Sequence, residues 1–452
     1  MKKFMACALS VCMVAATLVG CTGGAAKNTI NLWAFTDEVP GMAKAYKEAH
    51  PEFKYEVKET IIATDGGGYQ NALDPALTSG GKEAPDMFAA EAAFVLKYAK
   101  GDMAKYAAPY SKIFEGTSYD VNKAISDAAI ADYSIEIGTN DNGELVALGY
   151  QATGGAFIYR RSVAKATWGN DDPDTVKNAI GGGTGNWDKF WTAAEDLKAK
   201  GYAIVSGDGD MWHAIENSSD QGWIVDGKLV IDPKRESFMD VSKKLKDNGY
   251  HNDTTDWSDG WKEDMAGTGP KEVLGFFGPA WLINYTIADA CGGSAPGEGT
   301  YGDWGVCESP IGFFWGGTWV IGTTYAIENG KAAGVAELIY FITLDCSENG
   351  LQYKWANGTL NGPGGTKDTV ASGTVMSISD GSMEFLAGQN MFDVFVPANA
   401  SANGKNLTQY DETINGYWRD QVREYSAGNK TKDEAIAAFK DMVKNNLNVT
   451  VE

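Results

Sequence analysis

Tryptophan and glycine are the residue types in this 452-residue sequence with the most to offer a ligand. The chain contains 14 tryptophans and 55 glycines. A tryptophan side chain either fills a core or presents a flat aromatic surface to a ligand. Glycine permits tight turns and lets the backbone approach another group closely. Composition alone therefore leaves two uses open for each tryptophan, core packing and ligand contact.

Side chains that could hold a metal are few and widely spaced. The three histidines, His50, His213 and His251, form no HExxH motif or comparable cluster. Asp208 and Asp210 lack the spaced oxygen ligands of an EF-hand loop, which favours a polar turn over a calcium site. We therefore expect no metal and no cofactor.

The N-terminus has the pattern of a bacterial lipoprotein signal. Lys2 and Lys3 precede an apolar run that ends in the segment LVGC. This run is short for a membrane span of about 20 residues, and the small residue before Cys21 suits a lipoprotein signal peptidase. We predict a signal peptide at 1–20, a lipidated cysteine and tether at 21–27, and an extracytoplasmic protein attached to the membrane by its lipid.

Three cysteines remain after this processing. Cys291 and Cys307 flank a glycine-rich segment of an exported protein, so a disulfide between them stays open. Cys346 is expected to be a lone buried thiol.

Charge and length restrict the class of protein. Removing the signal takes away two lysines and no acid, so the formal charge changes from −22 to −24. A chain this acidic has no basic face to displace counterions, so nucleic acid is not expected as a partner. The remaining length of about 430 residues suits two or three domains.

The first part of the chain reads as a parallel α/β sheet. We predict strands at 29–35 and 53–60, a helix at 41–50 between them, and a third strand entry at 84–88. Strand, helix and strand in succession indicate a right-handed crossover. Ligands of open parallel sheets lie outside the carboxyl ends of the strands, where Glu91 falls.

Later segments repeat this mixture of strands and helices. Residues 145–163 read as two short strands around a polar turn, and residues 186–201 as an amphipathic helix. Thr431 and Glu434 form a capping box that opens a final helix. The uncharged run 310–327 contains a proline and four glycines, which favours buried strands and a loop over a membrane span.

Several separated segments carry a resemblance to a known family. The chain resembles the extracellular solute-binding proteins of ABC importers, the group that includes maltose-binding protein. The likeness covers nearly the whole mature chain. Its segments are NLWAF, EAPDMF, GYQATGGAFIYRRSV, NWDKFWTAAEDLKAKG, FFGPAW, DWGVCESPIGFFWGGTWVIG with KAAGVAELIYFIT, and YWRDQVREYSAGNKTKDEAIAAF.

The resemblance implies a periplasmic-binding-protein-like fold, with two α/β lobes joined by a hinge and a ligand cleft between them. Lobe one would comprise residues 28–147 plus 310–360, and lobe two residues 148–309 plus 361–452. Two of the hinge crossings would lie at Tyr150-Gln151 and Ser309-Pro310.

The same resemblance, together with the chemistry of sugars, selects a ligand site. Sugars have apolar ring faces and a belt of hydroxyl groups, so their receptors combine flat aromatic with planar polar side chains. Trp281 and Trp315 occupy positions that match the ligand-binding loops of the family. The glycines after Trp315 would let the backbone approach the ligand closely. The predicted ligand-binding residues are Trp33, Thr36, Asp37, Asp65, Glu91, Tyr150, Gln151, Trp212, Trp281, Trp315, Gly316 and Trp355.

The function implied is a monomeric, lipid-anchored protein that captures a carbohydrate and delivers it to the permease subunits of an ABC transporter. Several tryptophans favour an oligosaccharide. Two alternatives stay open. One is a surface glycosidase, which would share an aromatic cleft and paired carboxylates. The other is the same fold binding a non-sugar solute, because Glu91 and Asp65 could meet a cation.

Overall fold

The computed structural model describes residues 28–360 and 364–452. The predicted signal peptide (1–20) and the predicted lipidated cysteine and tether (21–27) lie outside the described residues. The described part of the chain contains ten strands: β1 (Thr29–Ala34), β2 (Glu56–Ile61), β3 (Met87–Glu91), β4 (Ala147–Gly149), β5 (Ala156–Arg160), β6 (Ile224–Val225), β7 (Lys228–Leu229), β8 (Gly275–Gly278), β9 (Trp304–Cys307) and β10 (Thr318–Gly322).

Helices surround these strands. They are α1 (Glu38–Ala49), α2 (Gly68–Ser79), α3 (Ala92–Ala99), α4 (Tyr110–Ile113), α5 (Val121–Ala128), α6 (Asp132–Ile137), α7 (Arg161–Trp168), α8 (Pro173–Ile180), α9 (Asp188–Ala199), α10 (Gly209–Asn217), α11 (Pro233–Asn248), α12 (Asp259–Met265), α13 (Ala280–Leu282), α14 (Ala288–Ala290), α15 (Thr324–Glu328), α16 (Ala332–Thr343), α17 (Leu351–Ala356), α18 (Gly373–Ser377), α19 (Phe392–Ser401), α20 (Asp411–Ser426) and α21 (Lys432–Asn446).

Shorter helical turns complete the chain. Three 3₁₀ turns lie at Asp65–Gly67, Ala104–Tyr106 and Glu384–Leu386, and a π-helical turn at Ile283–Ile287 joins α13 to α14. Among the residues that the structure describes, no helix is long and apolar enough to cross a membrane.

A five-stranded sheet forms the core of the first lobe. Its strand order is β2-β1-β3-β10-β4, with β1 parallel to β2 and β3, and β10 antiparallel to β3 and β4. The predicted first strand, second strand and intervening helix are present, although α1 begins at Glu38 rather than Gly41. The parallel start of the sheet places the carboxyl ends of β1 and β3 at one edge.

A three-stranded antiparallel sheet, in the order β8-β5-β9, forms the core of the second lobe. Its two faces serve different side-chain clusters, because alternate residues of a strand point to opposite faces. Ile158 and Val306 pack in one cluster and Phe157 packs in the other. The predicted C-terminal helix is confirmed as α21, with its Thr431 and Glu434 capping box.

Two connections join the sheets. One runs from β4 to β5 and contains Tyr150-Gln151, and the other runs from β9 to β10 and contains Ser309-Pro310. The two-lobed α/β fold is therefore as predicted. Helix α18 is hydrogen-bonded to α5, since the Thr374 hydroxyl donates to the Asp127 carbonyl at 2.6 Å. This segment, expected in lobe two, thus contacts lobe one, and the exact lobe boundaries stay a prediction.

A buried ion pair ties three parts of the first lobe together. Asp86, which precedes β3, is fully buried, and its Oδ2 accepts hydrogen bonds from the backbone N–H of Asn31 and from Lys331 Nζ, each at 2.8 Å. Asn31 belongs to β1 and Lys331 precedes α16. The carboxylate therefore sets the positions of two neighbouring strands relative to a helix, so Asp86 has a structural role.

We predict that Lys331→Met lowers the free energy of unfolding by about 3–5 kcal/mol, because it leaves the buried Asp86 carboxylate without its counterion. Urea unfolding measures the loss. Lys123→Met is the matched control, since it breaks the exposed Lys123–Asp127 pair and should leave the free energy of unfolding nearly unchanged. Equal losses in the two variants would contradict the role given to Asp86.

Candidate functional site

A cavity of about 370 Å³ lies between the two lobes. Helix α3 and the loop before β10 form its first-lobe side, and α10 and α20 form its second-lobe side. Its aromatic and polar lining residues are Glu91, Trp212, His213, Glu216, Asn217, Thr255, Asp256, Trp257, Phe314, Trp315, Thr408, Asp411, Glu412, Asn415, Arg419 and Arg423.

Three tryptophans and a histidine form the aromatic wall of this site. Trp315 stacks on His213 with ring centroids 4.6 Å apart, and Trp281 meets the edge of Trp315 at 4.9 Å. Trp281 Nε1 also donates a hydrogen bond of 3.0 Å to the Trp315 carbonyl. Trp257 lies parallel to Trp281 at 6.0 Å. These contacts orient the half-buried Trp315 ring at the edge of the cavity.

Two glycines make this wall sterically possible. Gly316 and Gly317 have φ values of +69° and +113°, which L-residues with side chains rarely adopt. A Cβ atom at Gly316 would lie 3.4 Å from Trp281 Nε1 and 3.5 Å from Glu91 Oε1. Gly316 thus sits between an aromatic ring and a carboxylate, and its backbone is exposed to whatever the cavity holds.

Glu91 occupies the carboxyl end of β3, as the sheet topology predicts. Its Oε2 accepts a 2.7 Å hydrogen bond from the backbone N–H of Ala93 and caps α3. Burial and, to a smaller extent, the nearby charge of Glu412 raise the pKa of Glu91 to about 7, against the backbone N–H groups, which lower it. A carboxyl group with this pKa can accept or donate a hydrogen bond near neutral pH.

Helix α20 supplies the polar wall of the second lobe. Glu412, Asn415, Arg419 and Arg423 follow each other at spacings of three or four residues and therefore share one face of the helix. Arg419 is ion-paired with Asp256. This face offers the cavity a carboxylate, an amide and two guanidinium groups.

Buried carboxyl groups behind this face have opposite pKa shifts. Burial raises the pKa of Asp411 to about 7, against the hydrogen bond that the Thr408 hydroxyl donates at 2.6 Å. Burial alone would raise the pKa of Glu216 too, but its contact with His213 lowers that pKa overall. Asn415 Nδ2 donates to Glu216 Oε1 at 2.6 Å. The site therefore contains both ionised and readily protonated acceptors.

The structure brings five of the predicted residues together. Glu91, Trp212, Trp315 and Gly316 line the cavity, and Trp281 holds Trp315 beside it. The structure places the other predicted residues elsewhere. Trp33 packs against a core cluster of lobe one, whereas Thr36, Asp37 and Asp65 lie exposed on loops and turns.

Tyr150, Gln151 and Trp355 lie together at the crossing between the lobes. The buried Tyr150 ring stacks on Trp355 at 5.5 Å, and its hydroxyl donates to Glu38. Gln151 Nε2 donates to Asp368 Oδ2 at 2.8 Å. These contacts occupy the polar groups of the two residues, and none of the three residues lines the cavity described above. Their role as ligand contacts stays a prediction.

Cys291 and Cys307 are free thiols in the structure, so the disulfide that the sequence left open does not form there. The two side chains lie on opposite faces of the sheet of lobe two, since Cys291 packs with the Ile158 cluster and Cys307 with the Phe157 cluster. The segment with Asp208 and Asp210, predicted as a polar turn, is instead the start of helix α10: Asp208 is the N-cap and Asp210 lies in the first helical turn. Asp210 Oδ2 accepts hydrogen bonds from the backbone N–H groups of Ser206 and Gly207, at 2.9 and 3.0 Å.

Three parts of the cavity lining were not predicted from the sequence: His213, Trp257 and the polar face of α20. His213 was set aside because no second metal ligand lay near it, and its stacking on Trp315 is a long-range contact. The polar stripe of α20 does carry a sequence signal, the helical spacing of Glu412, Asn415 and Arg419. Trp257 has no such signal, because it lies in a loop before α12.

The fold and cleft together define a two-lobed solute-binding protein. The model of the bacterial extracellular solute-binding protein family matches residues 34–343. The chain belongs to this family, whose members are non-enzymatic receptors of ABC transporters. Its location is therefore extracytoplasmic.

Solved structures share the fold across nearly the whole chain. One is an extracellular solute-binding protein of family 1, with a TM-score of 0.73 and 18% identity, covering 92% of this chain and 99% of that one. No curated protein sequence matches the chain.

The names of two further structures include a sugar. The cyclic α-maltosyl-1,6-maltose binding protein of Arthrobacter globiformis has a TM-score of 0.63 and 16% identity, covering 92% of this chain and 98% of that one. The galacto-N-biose/lacto-N-biose I-binding protein of Bifidobacterium longum, solved with lacto-N-biose, has a TM-score of 0.61 and 15% identity, covering 94% and 98%. At these identities the likeness establishes the fold.

We predict that Glu91 makes the protein less stable as pH rises from about 4.5 to 7. Its folded pKa of about 7 exceeds the ordinary value of 4.5, so in this window the folded state binds more protons than the unfolded state. The Glu91 contribution is complete below pH 4.5 and is lost as pH passes 7. Glu91→Gln should therefore flatten the fall in unfolding free energy, by at most about 1.4 kcal/mol per pH unit.

Urea unfolding at several pH values measures this slope. The control is Glu328→Gln, at the exposed end of α15, which should keep the parent slope. If Glu91→Gln also kept the parent slope, the raised pKa of Glu91 would be wrong.

Proposed function

We propose that this protein is the lipid-anchored, carbohydrate-binding component of an ABC transporter, and that it captures an oligosaccharide in the cleft and delivers it to the permease. One observation carries the choice of ligand. The aromatic wall of Trp281 and Trp315 faces a polar wall of carboxyl, amide and guanidinium groups on α20. Apolar ring faces edged by hydroxyl groups match this pairing.

Groups from both lobes line the cavity, which links binding to closure. Glu91 lies on lobe one, whereas Asn415 and Arg419 lie on lobe two. A sugar that stacks on Trp315 and hydrogen-bonds to both sides makes more contacts in the closed state than in the open one. Such a ligand shifts the population of lobe arrangements by its difference in affinity for the two states.

The names of structural relatives support a sugar. Proteins with this fold bind cyclic α-maltosyl-1,6-maltose and lacto-N-biose, according to their names. A second candidate, a cationic solute, is favoured by a different observation. Glu91 and Glu412 approach each other across the cleft closely enough for their charges to interact, and each could accept a hydrogen bond from an ammonium group.

A titration distinguishes the two candidates. Tryptophan fluorescence and calorimetry of the full-length chain, in a detergent without a sugar headgroup, would be followed against neutral oligosaccharides and against polyamines. Saturable binding of oligosaccharides without product supports the carbohydrate receptor. Binding of polyamines alone would replace it with the cationic solute, and release of sugar product would indicate a hydrolase.

We predict that Trp315→Ala weakens binding of the best oligosaccharide at least about tenfold, or about 1.4 kcal/mol, because it removes the stacking surface. Calorimetry gives the dissociation constant. Trp168→Ala is the matched control, since Trp168 is a half-buried tryptophan at the end of α7 and does not line the cavity. Equal affinity of the Trp315 variant and the parent would remove Trp315 from the ligand site.

The lipid anchor is tested separately. Acylation of Cys21 attaches the chain to the membrane, so Cys21→Ser should abolish incorporation of labelled fatty acid and leave an uncleaved precursor, which migrates more slowly on a gel. Cys346→Ser is the control and should be processed like the parent. Labelling of the Cys21 variant would overturn the proposed anchor.

A further inference from the structure

A second groove, of about 530 Å³, lies on lobe two immediately beside the cleft. It runs between α12 and the helical segment α13–α14. Trp257 and Tyr285 are its aromatic side chains, and Lys262, Thr268 and Asp289 contribute polar groups. Trp257 also lines the cleft cavity, so the two spaces share one wall.

Trp257 is the least expected residue of this groove. Its side chain is 54% exposed, although tryptophan gains most from burial. Its φ of +67° lies in the left-handed region, which a bulky L-residue adopts only where the surrounding structure holds it there. Trp261, with ring centroids 5.4 Å away, and Trp281 support the ring. A strained backbone thus presents a large aromatic surface to solvent.

Tyr285 presents a second aromatic surface. It is 48% exposed and lies in the π-helical turn Ile283–Ile287. Turns of this kind occur frequently at functional sites. Burial of its hydroxyl end, with the charges of Asp368 and Glu38 nearby, raises the pKa of Tyr285. The exposed part of Tyr285 lines the groove.

We propose that this groove is an outer binding site for the carbohydrate ligand, occupied by sugar residues that extend beyond the cleft. The sugar next to the cleft lies on Trp257 and the following one on Tyr285, with hydroxyl groups bonded to Lys262, Thr268 and Asp289. The occupant follows from the shared wall at Trp257 and from the same pairing of flat aromatic and polar groups as in the cleft. The inference rests on the proposed carbohydrate function.

The groove makes affinity depend on ligand length. A ligand that fills only the cleft contacts Trp315, whereas a longer one also reaches Tyr285. Longer oligosaccharides should therefore bind at least about tenfold more tightly than the disaccharide of the same series. Tyr285→Ala should reduce this advantage to less than about threefold, and Tyr285→Phe, which keeps the ring, should retain it.

Calorimetry of the full-length chain tests this with two series of probes, maltose with maltotetraose and maltoheptaose, and β-1,6-galactobiose with its longer oligomers. Ile378→Ala is the matched control, since Ile378 is 53% exposed but lies after α18 and outside both spaces. It should keep the parent affinities. Thermal unfolding of each variant confirms that it is folded.

The outcomes separate the two proposals. Binding that is stronger for longer ligands, with the advantage lost in Tyr285→Ala, supports the outer site. Binding of short and long ligands with equal affinity, or an advantage that survives in Tyr285→Ala, overturns the outer site and leaves the carbohydrate function standing. Failure of the parent chain to bind any member of either series would overturn the carbohydrate proposal, and the outer site with it.

Discussion

The close packing of Trp281 against Trp315 depends on a turn that only glycine accommodates easily. Gly316 and Gly317 take positive φ values, and the Trp315 carbonyl accepts the hydrogen bond from Trp281 Nε1. A Cβ atom at Gly316 would only touch the indole and Glu91, so the positive φ is what disfavours a side chain at this position. The aromatic wall therefore depends on the two glycines, Gly316 and Gly317, in the connection between β9 and β10. The placement of Trp281 against Trp315, and so the position of the Trp315 ring at the cleft, follows from this turn.

The charged groups around that wall have specific partners. Arg419 is ion-paired with Asp256, and the contact with His213 lowers the pKa of Glu216. Glu91 instead has a raised pKa, because a buried carboxylate without a counterion is costly. The cleft thus has acceptors in different protonation states at neutral pH. A ligand with many hydroxyl groups, each both donor and acceptor, can satisfy such a mixture better than a ligand with donors alone.

Much of the fold was predictable from local patterns. The strand and helix periodicity of residues 29–60 and the capping box at Thr431 agree with the structure. These features depend on neighbours along the chain or on residue type. Residues that line the cavity were predictable only where they belong to a recognisable sequence segment, as Trp315 and Glu91 do. The stacking of Tyr150 on Trp355, a contact across about two hundred residues, could not be read from any local pattern.

The sequence by itself determined the class of fold, the expected destination of the chain and the aromatic character of its cleft, because periodicity, signal pattern and residue type are local properties. Only the tertiary structure decided which side chains share the cavity. His213, Trp257 and the polar face of α20 reach it from three distant segments. The pairing of Cys291 and Cys307 was decided in the same way, since alternation along β9 directs Cys307 away from the face that holds Cys291. Packing of remote elements, which no short pattern encodes, made these choices.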